Sequence, residues 1–266
     1  MIKNLKFHEQ ATLFAKLSSI AYMHPENKNA KGESLKDKAN ELGFKATFIS
    51  NKGAEAYIFE DKENVVIACR GTEPTQIKDI KADLQIKRVP SDTGIGKVHR
   101  GFKLYTDKIW DKLVEAIKNS KRENKELWIT GHSLGGAMAT VTAKRCSETE
   151  ELKTPTMVFT YGSPRVGNGD YVNSIDKAII HHRFMNDGDI VTKIPTAPFY
   201  FHCGALHHIS KEGEVSTYHK INWFDTIMAS LKNPLKSLIA DAKDHSSDNY
   251  VSLLENWSKK ENTSEV

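Results

Sequence analysis

The chain has 266 residues and a formal net charge of +4, and 39% of its residues are hydrophobic. This length can bury a sizeable core in one large domain or two small ones, and the composition is ordinary for a soluble globular protein. The mild excess of lysine forms no basic block with interleaved aromatic residues, which argues against a nucleic-acid-binding surface. The three cysteines are widely spaced, fit no metal-ligand pattern and are expected to be reduced, buried thiols.

The N-terminal region lacks the composition of a secretory signal peptide. Polar residues interrupt each apolar run between Met1 and Met23, and no small-residue cleavage site follows. The sequence also lacks the run of about 18 apolar residues that a membrane-spanning helix needs. We therefore expect a cytoplasmic protein, and these observations leave open export by a route that reads no N-terminal signal.

The first part of the chain predicts an amphipathic helix followed by a small antiparallel sheet. Apolar residues recur at helical spacing from Phe7 to Ala21. Three β-type segments follow, at Ala46–Ser50, Ala54–Glu60 and Asn64–Cys69, and the turn-forming residues between them indicate an antiparallel meander. A second amphipathic helix is predicted over Leu104–Ile117, with its apolar face on the sheet.

From Glu126 onward the pattern changes to alternating strands and helices. Strands are predicted at Glu126–Thr130, Thr156–Tyr161 and Ala178–Met185, and a helix begins at Ser133. This alternation is typical of a mostly parallel sheet with helices on both faces. No repeat or linker interrupts the chain, so we predict a single domain over residues 1–266, with a disordered polar tail at residues 259–266.

The stretch Gly131-His132-Ser133-Leu134-Gly135 follows a predicted strand and opens a helix of small residues. In that context G-x-S-x-G is typical of a nucleophile elbow, in which glycines let strand and helix approach closely around a strained serine. A serine nucleophile needs a base, an orienting acid and donors for the oxyanion. The amide of Leu134, directly after the serine, is the first predicted donor. The alternative reading is a glycine-rich loop with no chemical role.

In proteins with a nucleophile elbow of this kind, the acid and then the histidine follow the serine along the chain. His245 lies in a polar loop directly before an apolar helix, where its imidazole is free to approach the serine. Asp187 and Asp189 both follow the strand that ends at Met185, and either can be the acid by this reasoning. We predict no metal and no cofactor, because the remaining clustered histidines fit no standard zinc spacing: His202, His207, His208 and His219.

The chain resembles the class 3 lipases, the fungal-lipase-like branch of the α/β-hydrolases. The resemblance rests on motifs that occur in the family's order across roughly residues 65–210, and on one more near the end. These motifs are CRGT (Cys69–Thr72), ADL (Ala82–Leu84), VHRGF (Val98–Phe102), GHSLGGAMA (Gly131–Ala139), YGSPRVGN (Tyr161–Asn168), NDGDIVTKIP (Asn186–Pro195) and DHSSDNY (Asp244–Tyr250).

This resemblance implies an α/β-hydrolase fold and selects among the site residues left open above. The family's spacing of asparagine, acid, valine and proline matches Asp189 rather than Asp187, which then becomes a turn residue. The family's C-terminal histidine matches His245, and its second oxyanion residue matches Thr72 in the loop after an earlier strand. His202 matches a family histidine in a segment that leads to the active-site face, with an indirect role at most.

The sequence also departs from the fungal pattern where an apolar lid is expected. The segment Glu73–Asp83 carries five charged residues among eleven, and its only large aliphatic residues are Ile77 and Ile80. Weak activation at a lipid interface is therefore expected. The apolar residues of Ile221–Ala240 are expected to pack in the core, with a cap that contacts acyl chains or a membrane as the alternative.

Together these observations predict a serine hydrolase of lipid carboxylic esters, an acylglycerol lipase or esterase that works through an acyl-enzyme. One alternative is a phospholipase A1 or lysophospholipase, exported as an effector against membranes. A more distant alternative is a family member that binds lipid without turnover, against which the complete set of triad residues argues. The expected partner is a lipid ester, with transient contact to a membrane or lipid interface.

Overall fold

The computed structural model describes residues 2–71, 87–120, 124–152, 154–218 and 243–264. Within them the strands are β1 (Lys45–Asn51), β2 (Ala54–Glu60), β3 (Asn64–Cys69), β4 (Arg88–Pro90), β5 (Lys97–His99), β6 (Glu126–His132), β7 (Met157–Tyr161), β8 (His181–Asn186), β9 (Ala205–Ile209) and β10 (Val215–Tyr218). The helices are α1 (Phe7–Ile20), α2 (Leu35–Glu41), α3 (Arg100–Asn119), α4 (Leu134–Glu148), α5 (Gly169–Asp176) and α6 (Ser247–Ser264), with short 3₁₀ turns at Ile2–Asn4 and Val191–Lys193.

The described strands form one large sheet and a small ribbon. The large sheet has the order β1-β2-β3-β6-β7-β8-β9-β10, and β4 pairs with β5 separately. Strands β1 to β3 are an antiparallel meander, the pairs from β3 through β9 are parallel, and β10 returns antiparallel to β9. The sheet is therefore antiparallel at both edges and parallel in the middle.

Helices cover both faces of the parallel strands. Along β3, Val65 and Ile67 face the core that contains α3 and α4, whereas Val66 and Ala68 face the core that contains α1 and α6. All residues of β3 are buried, because a strand covered on both faces has no side that meets water. This explains why the central strands are nearly continuous apolar runs in the sequence.

The topology places three loops at one edge of the sheet. Strands β6 and β8 are parallel to β7, so their carboxyl ends lie at the same edge. Ser133 follows β6 directly, and Asp189 comes three residues after β8. Helix α6 brings His245 to the same edge, since it packs along α1, where Thr12 Oγ1 donates to the Leu254 carbonyl at 3.1 Å. An open parallel sheet typically has its site at this edge.

The structure confirms the antiparallel meander, the switch to parallel pairing and the helices on both faces. It differs at the C-terminal end, where α6 continues to Ser264 through most of the segment predicted to be a disordered tail. Lysine and glutamate are good helix formers, and Lys260 also pairs with Glu214 at 2.7 Å. Strands β9 and β10 were not predicted. No helix in the described part of the chain has the length and apolarity needed to cross a bilayer.

Candidate active site

Ser133 lies in a sharp turn between β6 and α4 and has a strained backbone. Its φ is 59° and its ψ is −130°, a region that residues with a Cβ rarely adopt. The turn is possible because strand and helix are in contact: a Cβ on Gly131 would lie 2.2 Å from the Gly135 carbonyl oxygen, and a Cβ on Gly135 would lie 2.1 Å from that of Cys69. The glycines that frame the serine are therefore required by close backbone approach.

Three side chains from distant parts of the chain meet at this turn. His245 Nε2 lies 2.7 Å from Ser133 Oγ, and His245 Nδ1 lies 2.8 Å and 2.9 Å from the two carboxylate oxygens of Asp189. The carboxylate can only accept, so Nδ1 carries the proton and Nε2 of the neutral ring accepts from the serine hydroxyl. The structure thus brings together the serine, histidine and acid that the sequence predicted.

The three residues are shielded from water. Asp189 is 0% exposed, Ser133 is 2% exposed and His245 is 4% exposed. Electrostatic interactions and hydrogen bonds are stronger at such a site than in water.

Asp189 is held by two further donors. The Val191 amide donates to Oδ1 at 2.9 Å, and the Tyr250 hydroxyl donates to Oδ2 at 2.8 Å. Tyr250 Oη also accepts from the Asn186 amide at 2.9 Å. Burial, followed by the charge of Asp189, raises the pKa of Tyr250 well above its ordinary value, so this hydroxyl stays protonated and remains a donor. Gly162 is needed beside the acid, since its Cβ would lie 2.7 Å from Asp189 Oδ2.

The main chain around His245 is fixed from two sides. Asn186 Nδ2 donates to the Asp244 carbonyl at 3.0 Å, and His132 Nε2 donates to the His245 carbonyl at 2.6 Å. The rings of His132 and His245 have centroids 4.7 Å apart. Tyr22 Oη lies 2.9 Å from the other ring nitrogen of His132. The histidine beside the nucleophile therefore contacts the base loop, a role that the sequence reasoning did not assign to it.

Of the two predicted oxyanion-hole residues, Leu134 lies within the described part of the chain. Leu134 is the first residue of α4, so its amide has no acceptor within the helix and lies at the positive end of the helix dipole. Thr72, the predicted second donor, lies outside the described residues, as do the segments Glu73–Asp83 and Ile221–Ala240. The preceding residue, Gly71, lies against the elbow, because its Cβ would be 2.7 Å from the His132 carbonyl oxygen.

The alternative acid and the clustered histidines have other contacts. Asp187 is on the surface and pairs with His208 at 3.2 Å, away from His245. His202 donates to the Thr192 carbonyl at 2.7 Å, close behind the acid loop, and burial lowers its pKa well below the ordinary value. His207 contacts His182 and Thr217. His219 lies outside the described residues, and no metal-binding group of side chains occurs within them. All three cysteines are free and buried, as predicted.

The chain is similar in sequence to one protein family and to several known proteins. The family model described as Lipase (class 3) matches residues 66–199. A lipase from Rhizomucor miehei is 31% identical over 173 residues, which is 62% of this chain and 47% of that protein. The protein named phospholipase A1-II 3 from Oryza sativa subsp. japonica is 26% identical over 213 residues, covering 68% of this chain and 49% of that protein.

The solved structure of Rhizomucor miehei triacylglyceride lipase superimposes with a TM-score of 0.75 at 22% identity, over 91% of this chain and 94% of that chain. This likeness shows a shared fold and confirms the α/β-hydrolase prediction. The curated relatives are longer proteins, of which the matches cover 28–49%.

Proposed function

We propose that this chain, which belongs to the class 3 lipase family, hydrolyses carboxylic esters of lipids with Ser133 as nucleophile. The observation that carries the proposal is the continuous line of hydrogen bonds from Ser133 through His245 to Asp189, at 2.7 Å and 2.8 Å. An elbow with a strained serine, a base in reach and a buried acid behind it is the arrangement that acyl transfer requires.

In the first half of the reaction the serine is acylated. Ser133 Oγ bonds to the ester carbonyl carbon while its proton moves to His245 Nε2. The carbonyl electron pair moves to oxygen, and the resulting oxyanion accepts from the Leu134 amide and from Thr72 as the proposed second donor. The bond to the alcohol then breaks, and the histidine returns its proton to the leaving oxygen. Asp189 holds the imidazole in the useful tautomer and stabilises the imidazolium.

In the second half a water molecule replaces the alcohol. His245 removes a proton from the water as it attacks the acyl-enzyme, and a second oxyanion forms at the same position. Collapse of this intermediate releases the carboxylic acid and returns the proton to Ser133 Oγ. Each proton that leaves an attacking oxygen is returned to a leaving oxygen, so no cofactor or redox partner is required by this scheme.

The proposed substrate class is an acylglycerol, and a phospholipid is the second candidate. Support for the first comes from the protein described as Rhizomucor miehei triacylglyceride lipase, and support for the second comes from the rice protein named phospholipase A1-II 3. A panel of triacylglycerol, monoacylglycerol, phosphatidylcholine and lysophosphatidylcholine, with the released products identified by mass spectrometry, separates the two. Release of fatty acid only from the phospholipids would contradict the acylglycerol proposal.

The nucleophile is tested by covalent labelling. An alkyl p-nitrophenyl phosphonate should attach one group to the wild-type protein, on the peptide that contains Ser133, and abolish turnover of p-nitrophenyl butyrate. Ser133→Ala should be inert to both reagents. The control is Ser163→Ala, which removes another buried serine, on a neighbouring loop, and this variant should still be labelled. Label on a different serine, or a folded wild-type protein that neither reacts nor turns over ester, would contradict the proposed function.

A further inference from the structure

We propose that His132 and Tyr22 are positioning residues for the general base, acting as a hydrogen-bonded link from the end of α1 through the elbow to the main chain of His245. This inference rests on the proposed function, since it assigns a role relative to the proposed base. The hydrogen bond from His132 to this part of the chain goes to the main-chain carbonyl of His245, and the two rings are adjacent. The effect of His132 and Tyr22 on the reaction is therefore exerted through the position of His245.

The hydrogen-bond donors of this link follow from the acceptors. The His245 carbonyl can only accept, so the contact of 2.6 Å requires that His132 Nε2 carry a proton. The other nitrogen of the neutral ring is then an acceptor, and the Tyr22 hydroxyl donates to it at 2.9 Å. One neutral tautomer of His132 satisfies both contacts at once, and His132 is only 3% exposed.

The environment of His132 favours this neutral form. Burial, and then the nearby His245 ring, lowers the pKa of His132 well below its ordinary value. The two rings lie 4.7 Å apart, so a charge on His132 would oppose the imidazolium that forms on His245 when it accepts the serine proton. A neutral histidine can hold the base without opposing its protonation.

The link is short because His132 is the residue before the nucleophile. A hydrogen bond from His132 to the His245 main chain ties the base to the elbow across one peptide unit, whereas the two residues are 113 positions apart in the chain. The distance from Ser133 Oγ to His245 Nε2 is thereby set by local geometry. A displacement of about 1 Å in such a contact can cost about 100-fold in rate.

Tyr22 extends the link to the loop that precedes Thr72. A Cβ on Gly71 would lie 2.2 Å from Tyr22 Oη, so the hydroxyl occupies the space beside this loop that a side chain would fill. The segment that carries Tyr22 is itself fixed, because Tyr57 Oη donates to the Met23 carbonyl at 2.7 Å. Tyr22 therefore contacts both the elbow histidine and the loop that precedes Thr72.

The test uses His132→Phe, which keeps a ring beside His245 and removes both hydrogen bonds, and His132→Gln, which restores a donor. The control is His181→Phe, since His181 is also a buried histidine with two polar contacts but lies on β8 away from the triad. We expect His132→Phe to lower kcat on p-nitrophenyl butyrate by about 100-fold with little change in KM. His132→Gln should recover at least about tenfold of that loss, and His181→Phe should keep kcat per folded molecule.

A second readout does not depend on turnover. The Nδ1 proton of His245, shared with Asp189, should give a downfield proton resonance in the wild type and in His132→Gln, and this signal should be shifted or lost in His132→Phe. Tyr22→Phe should lower kcat less than His132→Phe does, and its effect should be smaller in the His132→Phe background, because the part exerted through the imidazole is lost there while the contacts of Tyr22 with the His132 carbonyl, at 3.4 Å, and with Gly71 remain.

The possible results distinguish failure of the proposed function from failure of the positioning role. Wild-type protein that is inert to ester and phosphonate contradicts the proposed function itself. Active wild type with a His132→Phe variant that matches His181→Phe in kcat and keeps the downfield resonance overturns the positioning role. A His132→Gln variant as impaired as His132→Phe also overturns it. Equal effects of Tyr22→Phe in both backgrounds overturn the part assigned to Tyr22.

Discussion

Tyr250→Phe tests how much the buried hydroxyl that binds Asp189 contributes to stability and to turnover. The change removes a hydrogen bond of 2.8 Å to Asp189 and leaves the Asn186 amide without its acceptor at 2.9 Å. A hydrogen bond to a charged group contributes about 1.5–3 kcal/mol, and a buried donor left unpaired costs about 1–3 kcal/mol. We therefore expect the free energy of unfolding to fall by about 3 kcal/mol, and the melting temperature by about 9 °C.

The matched control for this change is Tyr161→Phe. Tyr161 is also fully buried, with its ring 6.2 Å from that of Tyr250, but its hydroxyl donates to the neutral Ala11 carbonyl at 2.5 Å. Loss of this neutral hydrogen bond should cost about 1 kcal/mol.

Activity and stability are measured separately. Differential scanning calorimetry gives the stability of each variant. Active-site titration with a phosphonate counts the active molecules, so the rate of ester turnover can be expressed as kcat per active molecule. Tyr250→Phe should lower kcat about tenfold, less than the loss of about 10⁴ on removing an orienting carboxylate, because Val191 still holds the acid. Tyr161→Phe should leave kcat unchanged. Equal stability losses in the two variants, or full activity in Tyr250→Phe, would refute the reasoning.

Three further predictions follow from the geometry. Asp189→Asn should reduce kcat by about 10⁴ while Asp187→Asn stays close to wild type, and the reverse order in a p-nitrophenyl ester assay would show that the acid is misassigned. Gly135→Ala should lower the yield of folded protein, since the Cβ would meet backbone, whereas Gly169→Ala has open space and should fold normally by circular dichroism. The free energy of unfolding should fall by about 1 kcal/mol per pH unit below about 6.5 for each of His132, His181 (pKa about 3) and His202, because their pKa values are lowered in the folded chain and the unfolded chain therefore binds protons that the folded chain excludes. Denaturant titrations that show equal stability at pH 4.5 and 7 would contradict this prediction.

The parts of the site that could be predicted are those that the local sequence encodes. Ser133 is identified by glycines within two residues on either side, because the close approach of strand and helix at the elbow is a local requirement. The position directly after the predicted strand Ala178–Met185 limited the acid to Asp187 or Asp189, and the choice between them came from the resemblance. The structure places Asp189 against His245 and Asp187 on the surface.

The parts that were missed depend on contacts across the fold. Nothing near Tyr250 in the sequence shows that its hydroxyl meets Asp189, which is 61 residues away. The sequence assigned no role to His132, since its contact with the His245 carbonyl appears only once β6 and the loop before α6 are adjacent. Strand β9 was overlooked because two histidines interrupt its apolar pattern, and these histidines are accommodated by side-chain partners on β8 and β10 and by Asp187.

The separation of the nucleophile and the base along the chain has a consequence for synthesis on the ribosome. Ser133 and His245 are 112 residues apart, and α6 is anchored on α1, where Ser19 donates to Asp248 at 2.8 Å. During translation the elbow is therefore made well before its base, and domains tend to fold from the N-terminal side as the chain emerges. A nascent chain that contains Ser133 but not yet His245 lacks the base of the proposed mechanism. In the proposed mechanism turnover begins only when α6 has packed on α1, so turnover would measure whether this contact has formed.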